Sequence, residues 1–158
     1  MPWWDWDVLR RGSFSLDYVA RRITFGPVPD SPSAVAFQAN TPLLTVDLAI
    51  GSRTARLMVD TGAPRLTLFP NRMRSRLPGF LLKGATTMQT AGGMSQARDV
   101  ELADVRLGPT EWRHVLALLV DVPTTSYQGL DGLLAPSSLA VKSFDFDLQR
   151  NRLSWKKE

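Results

Sequence analysis

The 158-residue chain contains no cysteine and a single histidine, His114. The first absence excludes a disulfide framework, a zinc finger, an iron–sulfur site and a thiol nucleophile, and leaves the redox compartment open. The second excludes a multi-histidine metal site; no metal and no other cofactor are expected. Long apolar runs are missing too. The longest aliphatic stretch, residues 115–120, ends at Asp121, whereas a membrane span needs roughly 20 apolar residues. The N-terminus, Met-Pro-Trp-Trp-Asp-Trp-Asp, has neither a positive n-region nor an apolar h-region and does not read as a signal peptide. A soluble chain is expected, in a compartment left open, periplasmic or secreted if the chain is a processed fragment. There is no Gly-x-Ser-x-Gly elbow, no Gly-x-x-x-x-Gly-Lys loop and no Gly-x-Gly-x-x-Gly, which removes the usual signs of serine hydrolases, phosphate-binding loops and dinucleotide sites.

What is present suits a globular chain, with 44% hydrophobic residues and enough length to bury a core without staples. The net charge is +4, and 15 of the 19 basic residues are arginine. They are scattered and not interleaved with aromatics, so they read as a solvated face, and no nucleic acid is expected as a partner.

Strand signals dominate. Val46, Leu48 and Ile50 alternate over residues 45–50, Gly51-Ser52 supplies a turn, and residues 55–59 run back. Residues 66–69 read as a short strand, 71–77 as one or two helical turns, and 85–90 and 95–107 as two strands joined at Gly92-Gly93. Residues 112–120 form an apolar strand expected to be buried on both faces. His114, within it, reads as a satisfied core or edge residue rather than a catalytic base. Residues 130–134 are a short strand and 136–141 a short helix with proline in its first turn. Two strands follow, at 143–148 and 152–155. Asp145 and Asp147, alternating with Phe144 and Phe146, are expected on a solvent face. Many short strands at this spacing indicate an all-β barrel or sandwich.

Residues 27–42 hold Pro27, Pro29, Pro32 and Pro42 and read as a linker or extended strap. The segment before it repeats the end of the chain. Residues 13–25 and 143–155 share, without a gap, the pattern Ser-Phe-x-apolar-Asp-x-x-x-x-Arg-aliphatic-(Ser/Thr)-aromatic at an offset of 130 residues. That offset is longer than a solenoid repeat and close to one small lobe. Residues 1–26 therefore read as the closing hairpin of a preceding lobe, 27–42 as a linker, and 43–158 as the main domain.

The strongest chemical signal is Arg56-Leu57-Met58-Val59-Asp60-Thr61-Gly62-Ala63, an apolar strand delivering an aspartate into Thr-Gly-Ala. It resembles the active-site loop of the retropepsin-like aspartic proteases. Three further stretches carry the same resemblance. Met88-Gln89-Thr90-Ala91-Gly92-Gly93-Met94 is similar to the flap tips of bacterial members. Asp131-Gly132-Leu133-Leu134-Ala135 is similar to the family's hydrophobic-hydrophobic-Gly element, with Ala135 in place of the usual glycine. The stretch from Phe144 to Trp155 is similar to the closing hairpin. The resemblance covers residues 43–155. It implies a retropepsin-like closed β-barrel with a flap hairpin and one or two short helices. It also implies an aspartic endopeptidase, with Asp60 catalytic and Thr61, Gly62 and Ala63 as the active-site loop. Thr90, Ala91, Gly92 and Gly93 would meet an extended peptide, and Leu133, Leu134 and Ala135 would underlie the loop.

The family's chemistry needs two aspartates: one deprotonates a water and the other protonates the carbonyl oxygen. This chain carries one Asp-Thr-Gly. The second aspartate would come from a homodimer or from an upstream lobe. A non-catalytic peptide- or partner-binding module on the same fold is the alternative.

Overall fold

The computed structural model describes residues 12–40, 43–73, 79–90, 93–123 and 126–157. The chain is all-β: among the described residues, thirteen strands and one 3-10 helix, Pro136–Leu139, make up the regular structure. No helix among the described residues is long and apolar enough to cross a membrane. Two compact units can be distinguished, one from the described parts of Met1–Val46 and Ala140–Glu158, the other from Asp47–Leu139.

The first unit is built on a five-stranded sheet. β1 (Phe14–Asp17) and β2 (Arg22–Phe25) form a hairpin. β3 (Ala34–Ala36) and β4 (Gln38–Asn40) lie within the proline-containing stretch. β5 (Leu43–Ile50) begins here, pairing with β4. β12 (Val141–Asp147) and β13 (Arg152–Lys157) close the chain; the sheet order is β2-β1-β12-β13-β3. Phe14 stacks on Phe146, ring centroids 4.7 Å apart, and Trp155, Phe144 and Leu153 are buried. β12 is a central strand, and every residue from Ser143 to Asp147 is buried. This corrects the solvent-face reading of Asp145 and Asp147, which are only 3% and 9% exposed. Asp147 is satisfied by Ser13 Oγ and by the amides of Gln149 and Arg150.

The second unit carries the later half of β5, then β6 (Arg53–Val59), β7 (Leu66–Leu68), β8 (Phe80–Thr90), β9 (Gly93–Leu107), β10 (Thr110–Val120) and β11 (Gly132–Leu134). From β5 onward the order is β5-β6-β11-β7-β10-β9-β8. Val46, Leu48 and Ile50 are buried as the alternation requires, and Gly51 takes the left-handed turn position at φ 55°. The core gathers Leu57, Leu66, Leu68, Leu102, Leu107 and Leu134, all 0% exposed. Each such side chain contributes roughly 1.5–3 kcal/mol by leaving water.

One expectation for β10 needs correction. Burial on both faces is confined to residues 117–120, where the strand is paired with β7 on one side and β9 on the other. Leu116, just before, is 49% exposed. His114 is an exposed residue on the part of β10 that β7 does not reach; it has a left-handed φ of 56° and is satisfied by a 2.8 Å hydrogen bond with Glu101, as an edge residue would be. Lys83, and then His114, hold the Glu101 carboxyl below its ordinary range. The helical turns expected at 71–77 fall partly outside the described residues, as do residues 1–11 of the N-terminal segment.

Candidate active site

β6 is an interior strand whose last residue, Val59, hands the chain to Asp60. What fixes the aspartate is β11. This three-residue strand slots between β6, to which it is parallel, and β7, to which it is antiparallel. Leu134 pairs with Val59, and its carbonyl accepts the Asp60 amide at 3.0 Å. The sequence-derived pieces Asp60 and Leu133-Leu134-Ala135 are thus brought together.

The loop then folds back on its own carboxylate. Asp60 Oδ1 accepts the Gly62 amide at 3.0 Å and the Ala63 amide at 3.1 Å. The Ala63 amide also approaches the Asp60 carbonyl, at 3.3 Å. Oδ2 has no hydrogen bond among the described residues. Thr61 and Gly62 are exposed and Ala63 half-buried; the Thr61 hydroxyl has no partner among the described residues. One carboxylate oxygen is therefore gripped by backbone donors, while the other, like the Thr61 hydroxyl, has no hydrogen-bond partner among the described residues.

Several residues that sequence reasoning gave no role of their own hold this loop. Gly132 stands where no other residue fits. A Cβ there would meet the Thr67 carbonyl oxygen at 2.1 Å and the Leu68 Cα at 3.1 Å. The glycine that close strand packing demands is thus three residues ahead of Ala135, which is itself fully buried. Asp131 braces the same strand: its Oδ2 accepts the Arg56 amide at 2.9 Å, and its carbonyl accepts the Phe69 amide at 2.8 Å. On the other side of the loop, Ser137 Oγ donates to the Pro64 carbonyl at 2.7 Å and Ser138 Oγ accepts the Leu66 amide at 2.6 Å. Arg65 pairs with Asp99 on β9. The serines directly after Ala135-Pro136 were visible in the sequence, but nothing local marked their partners.

β8 and β9 form the hairpin expected around residue 92, in register down to Thr90↔Gly93. Gly93 has φ 111°, a conformation open mainly to glycine. Ala91 and Gly92 lie outside the described residues, and the Thr90 side chain is not described. A cleft of about 650 Å³, lined by Asp47, Arg53, Arg56 and Asp131 among others, opens where β6 begins. Three residues of β6, Leu57 to Val59, lie between its lining residue Arg56 and Asp60. Among the described residues no cluster of three or more His, Cys, Asp or Glu side chains could hold a metal ion.

Residues 46–137, well over half of the chain, match the family model described as aspartyl protease. The chain belongs to the aspartyl protease family. Among solved structures, this aspartyl protease family member is similar to a retropepsin-like aspartic protease from Rickettsia conorii. The TM-score is 0.54 at 20% identity, over 78% of this chain and 98% of that one; a likeness at this identity speaks for the fold. No curated protein matches the chain.

Proposed function

We propose that this chain supplies one half-site of an aspartic endopeptidase, with Asp60 as its catalytic residue. The supporting observation is the grip on Asp60: one carboxylate oxygen held by two backbone amides, the other without a hydrogen bond among the described residues, at the end of a strand locked by β11. Opposite a second aspartate about 3 Å away, the two carboxyls share one proton, because both cannot be ionised so close together. The ionised one takes a proton from a water, whose oxygen attacks the scissile carbonyl carbon. The protonated one gives its proton to the carbonyl oxygen. The tetrahedral intermediate then collapses, breaking the C–N bond as the leaving amine takes up a proton. Thr61 would bond across to the opposing loop and hold the pair together. The substrate would be an extended peptide under the β8–β9 hairpin, met by Thr90, Ala91, Gly92 and Gly93 as an added strand. Leu133, Leu134 and Ala135 would form the floor beneath the loop.

The test is Asp60→Asn. Asparagine keeps the shape and most of the hydrogen bonding but cannot exchange the proton, so peptide hydrolysis should fall by a factor of ~10² to 10⁴ with the fold intact. Hydrolysis at the wild-type rate would remove the reading. A wild-type protein that binds extended peptides without cleaving them would favour the non-catalytic module.

A further inference from the structure

The first described hairpin and the last hairpin of the chain are two copies of one element. In one, Phe14 pairs with Phe25, Leu16 with Ile23 and Asp17 with Arg22. In the other, Phe144 pairs with Trp155, Phe146 with Leu153 and Asp147 with Arg152. Each pair is the other displaced by 130 residues. The turns agree as well. Asp17 Oδ1 accepts the Ala20 amide at 2.8 Å, and Asp147 Oδ1 accepts the amide of Arg150, its counterpart, at 3.1 Å. Arg21 and Asn151, again counterparts, both take the left-handed φ of 50°. A shared sequence pattern alone does not require a shared strained turn.

The two copies meet across a local two-fold axis. β1 pairs antiparallel with β12, with Phe14↔Phe146, Ser15↔Asp145 and Leu16↔Phe144. Phe14 is the counterpart of Phe144, and Leu16 of Phe146. Exchanging the copies therefore reproduces the pairing, with Ser15 and Asp145 at the axis. Self-complementarity of this kind is the signature of an isologous contact between two copies of one unit. Within one chain, β1 and β2 stand where the closing hairpin of a second lobe would stand.

The symmetry fails at the outer edges. β13 carries β3 along its outer side, and Leu153 and Trp155 are 0% and 1% exposed. β2 has no strand on its outer side among the described residues. Ile23 and Phe25, the counterparts of those two core residues, are 37% and 52% exposed. A strand edge that is unpaired among the described residues and carries two apolar side chains is a pairing site. In the second copy the hairpin follows, in chain order, the residues that carry Asp60. By the same order, the lobe that β1 and β2 would close precedes Ser13.

We infer that the β2 edge is the docking surface for a second lobe of this same fold, encoded ahead of Ser13 on the same polypeptide, and that this lobe brings the opposing aspartate. The inference rests on the reading of Asp60 as half of a catalytic pair. A strand equivalent to β3 adds to β2, and the core of the second lobe covers Ile23 and Phe25. Asp60 displaced by the repeat offset falls about 70 residues ahead of Met1. A homodimer formed by pairing two β12 strands would have to displace β1 from its place.

The test is the endogenous protein, captured with an antibody to the second unit, its intact mass and N-terminal sequence determined and its reading frame followed upstream. The expected result is a polypeptide longer by most of one lobe, with an Asp-(Thr/Ser)-Gly near the stated position. In that protein Phe25→Arg should lower peptide hydrolysis about tenfold or more. An endogenous chain that starts at Met1, an upstream segment without the motif, or a Phe25→Arg protein of unchanged activity would each overturn the inference. Its failure differs from that of the protease reading. A 158-residue chain whose hydrolysis rises with concentration would sink the upstream lobe and keep the protease. A long form carrying both aspartates but inert towards peptides would keep the lobe and sink the protease.

Discussion

Gly132→Ala tests whether β11 sets the position of Asp60. An alanine Cβ would lie 2.1 Å from the Thr67 carbonyl oxygen, whereas real Cβ atoms essentially never come within 3.0 Å of such a neighbour. The backbones of β7 and β11 would have to part by about 1 Å at a point with no flexible side chain to yield. Overpacking of this kind typically costs about 1–3 kcal/mol. The movement also strains the Phe69 to Asp131 and Asp60 to Leu134 backbone bonds, each contributing about 1 kcal/mol net. A total of about 3 kcal/mol or more is a large share of a typical domain stability of about 5–15 kcal/mol. For a chain of this size it should lower the melting temperature by roughly 10 °C. The assay is thermal unfolding followed by circular dichroism, beside Gly62→Ala as the control. There the added Cβ would lie 3.6 Å from Asp60 Oδ1, an ordinary contact, so the melting temperature should hardly move. Equal melting temperatures for Gly132→Ala and wild type would refute the argument that close backbone packing at β11 locates the loop.

Ser138→Ala leaves the buried amide of Leu66 without its partner, so unfolding in urea should show a loss of about 1–3 kcal/mol; no change would mean that Ser138 does not anchor the loop. The backbone amide of Ala20 holds the Asp17 carboxyl below its ordinary value of 3.8, with Lys142 and Arg22 adding to the effect. A carboxyl depressed on folding contributes stability that is present above its unfolded pKa and lost as pH falls through the folded one. The Ala20 amide resonance should therefore titrate with a midpoint below 3.8, and a midpoint above it would contradict the hydrogen bond.

Local pattern carried much of the fold. The alternation of Val46, Leu48 and Ile50, the turn at Gly51 and the strand ending at Asp60 are all read from neighbours in sequence, and the structure forms them from those neighbours. The repeat between residues 13–25 and 143–155 was legible too, but its two-fold pairing was not, because strand register across such a distance leaves no local trace. The same limit hid Gly132. Ala135 occupies the small-residue position of the motif, whereas the crowding falls at Gly132, where β11 squeezes between two strands that are remote in the chain. Asp145 and Asp147 misled because alternation marks a solvent face only where a sheet has one, and β12 is covered on both. His114 was readable as a satisfied residue, but its partner Glu101, on the neighbouring strand, was not.

The threading of β11 between β6 and β7 also sets an order of events. The contacts that pin the loop join residues 75 apart in the chain, as between Arg56 and Asp131. Closing so long a loop costs on the order of 4 kcal/mol of chain entropy before any contact repays it. During synthesis at about 5–20 residues per second, Asp60 spends several seconds outside the ribosome before Leu134 exists. The Asp-Thr-Gly segment is thus made early and shaped late. A nascent or truncated chain ending before Gly132 carries the whole motif yet lacks the strand that holds it in place.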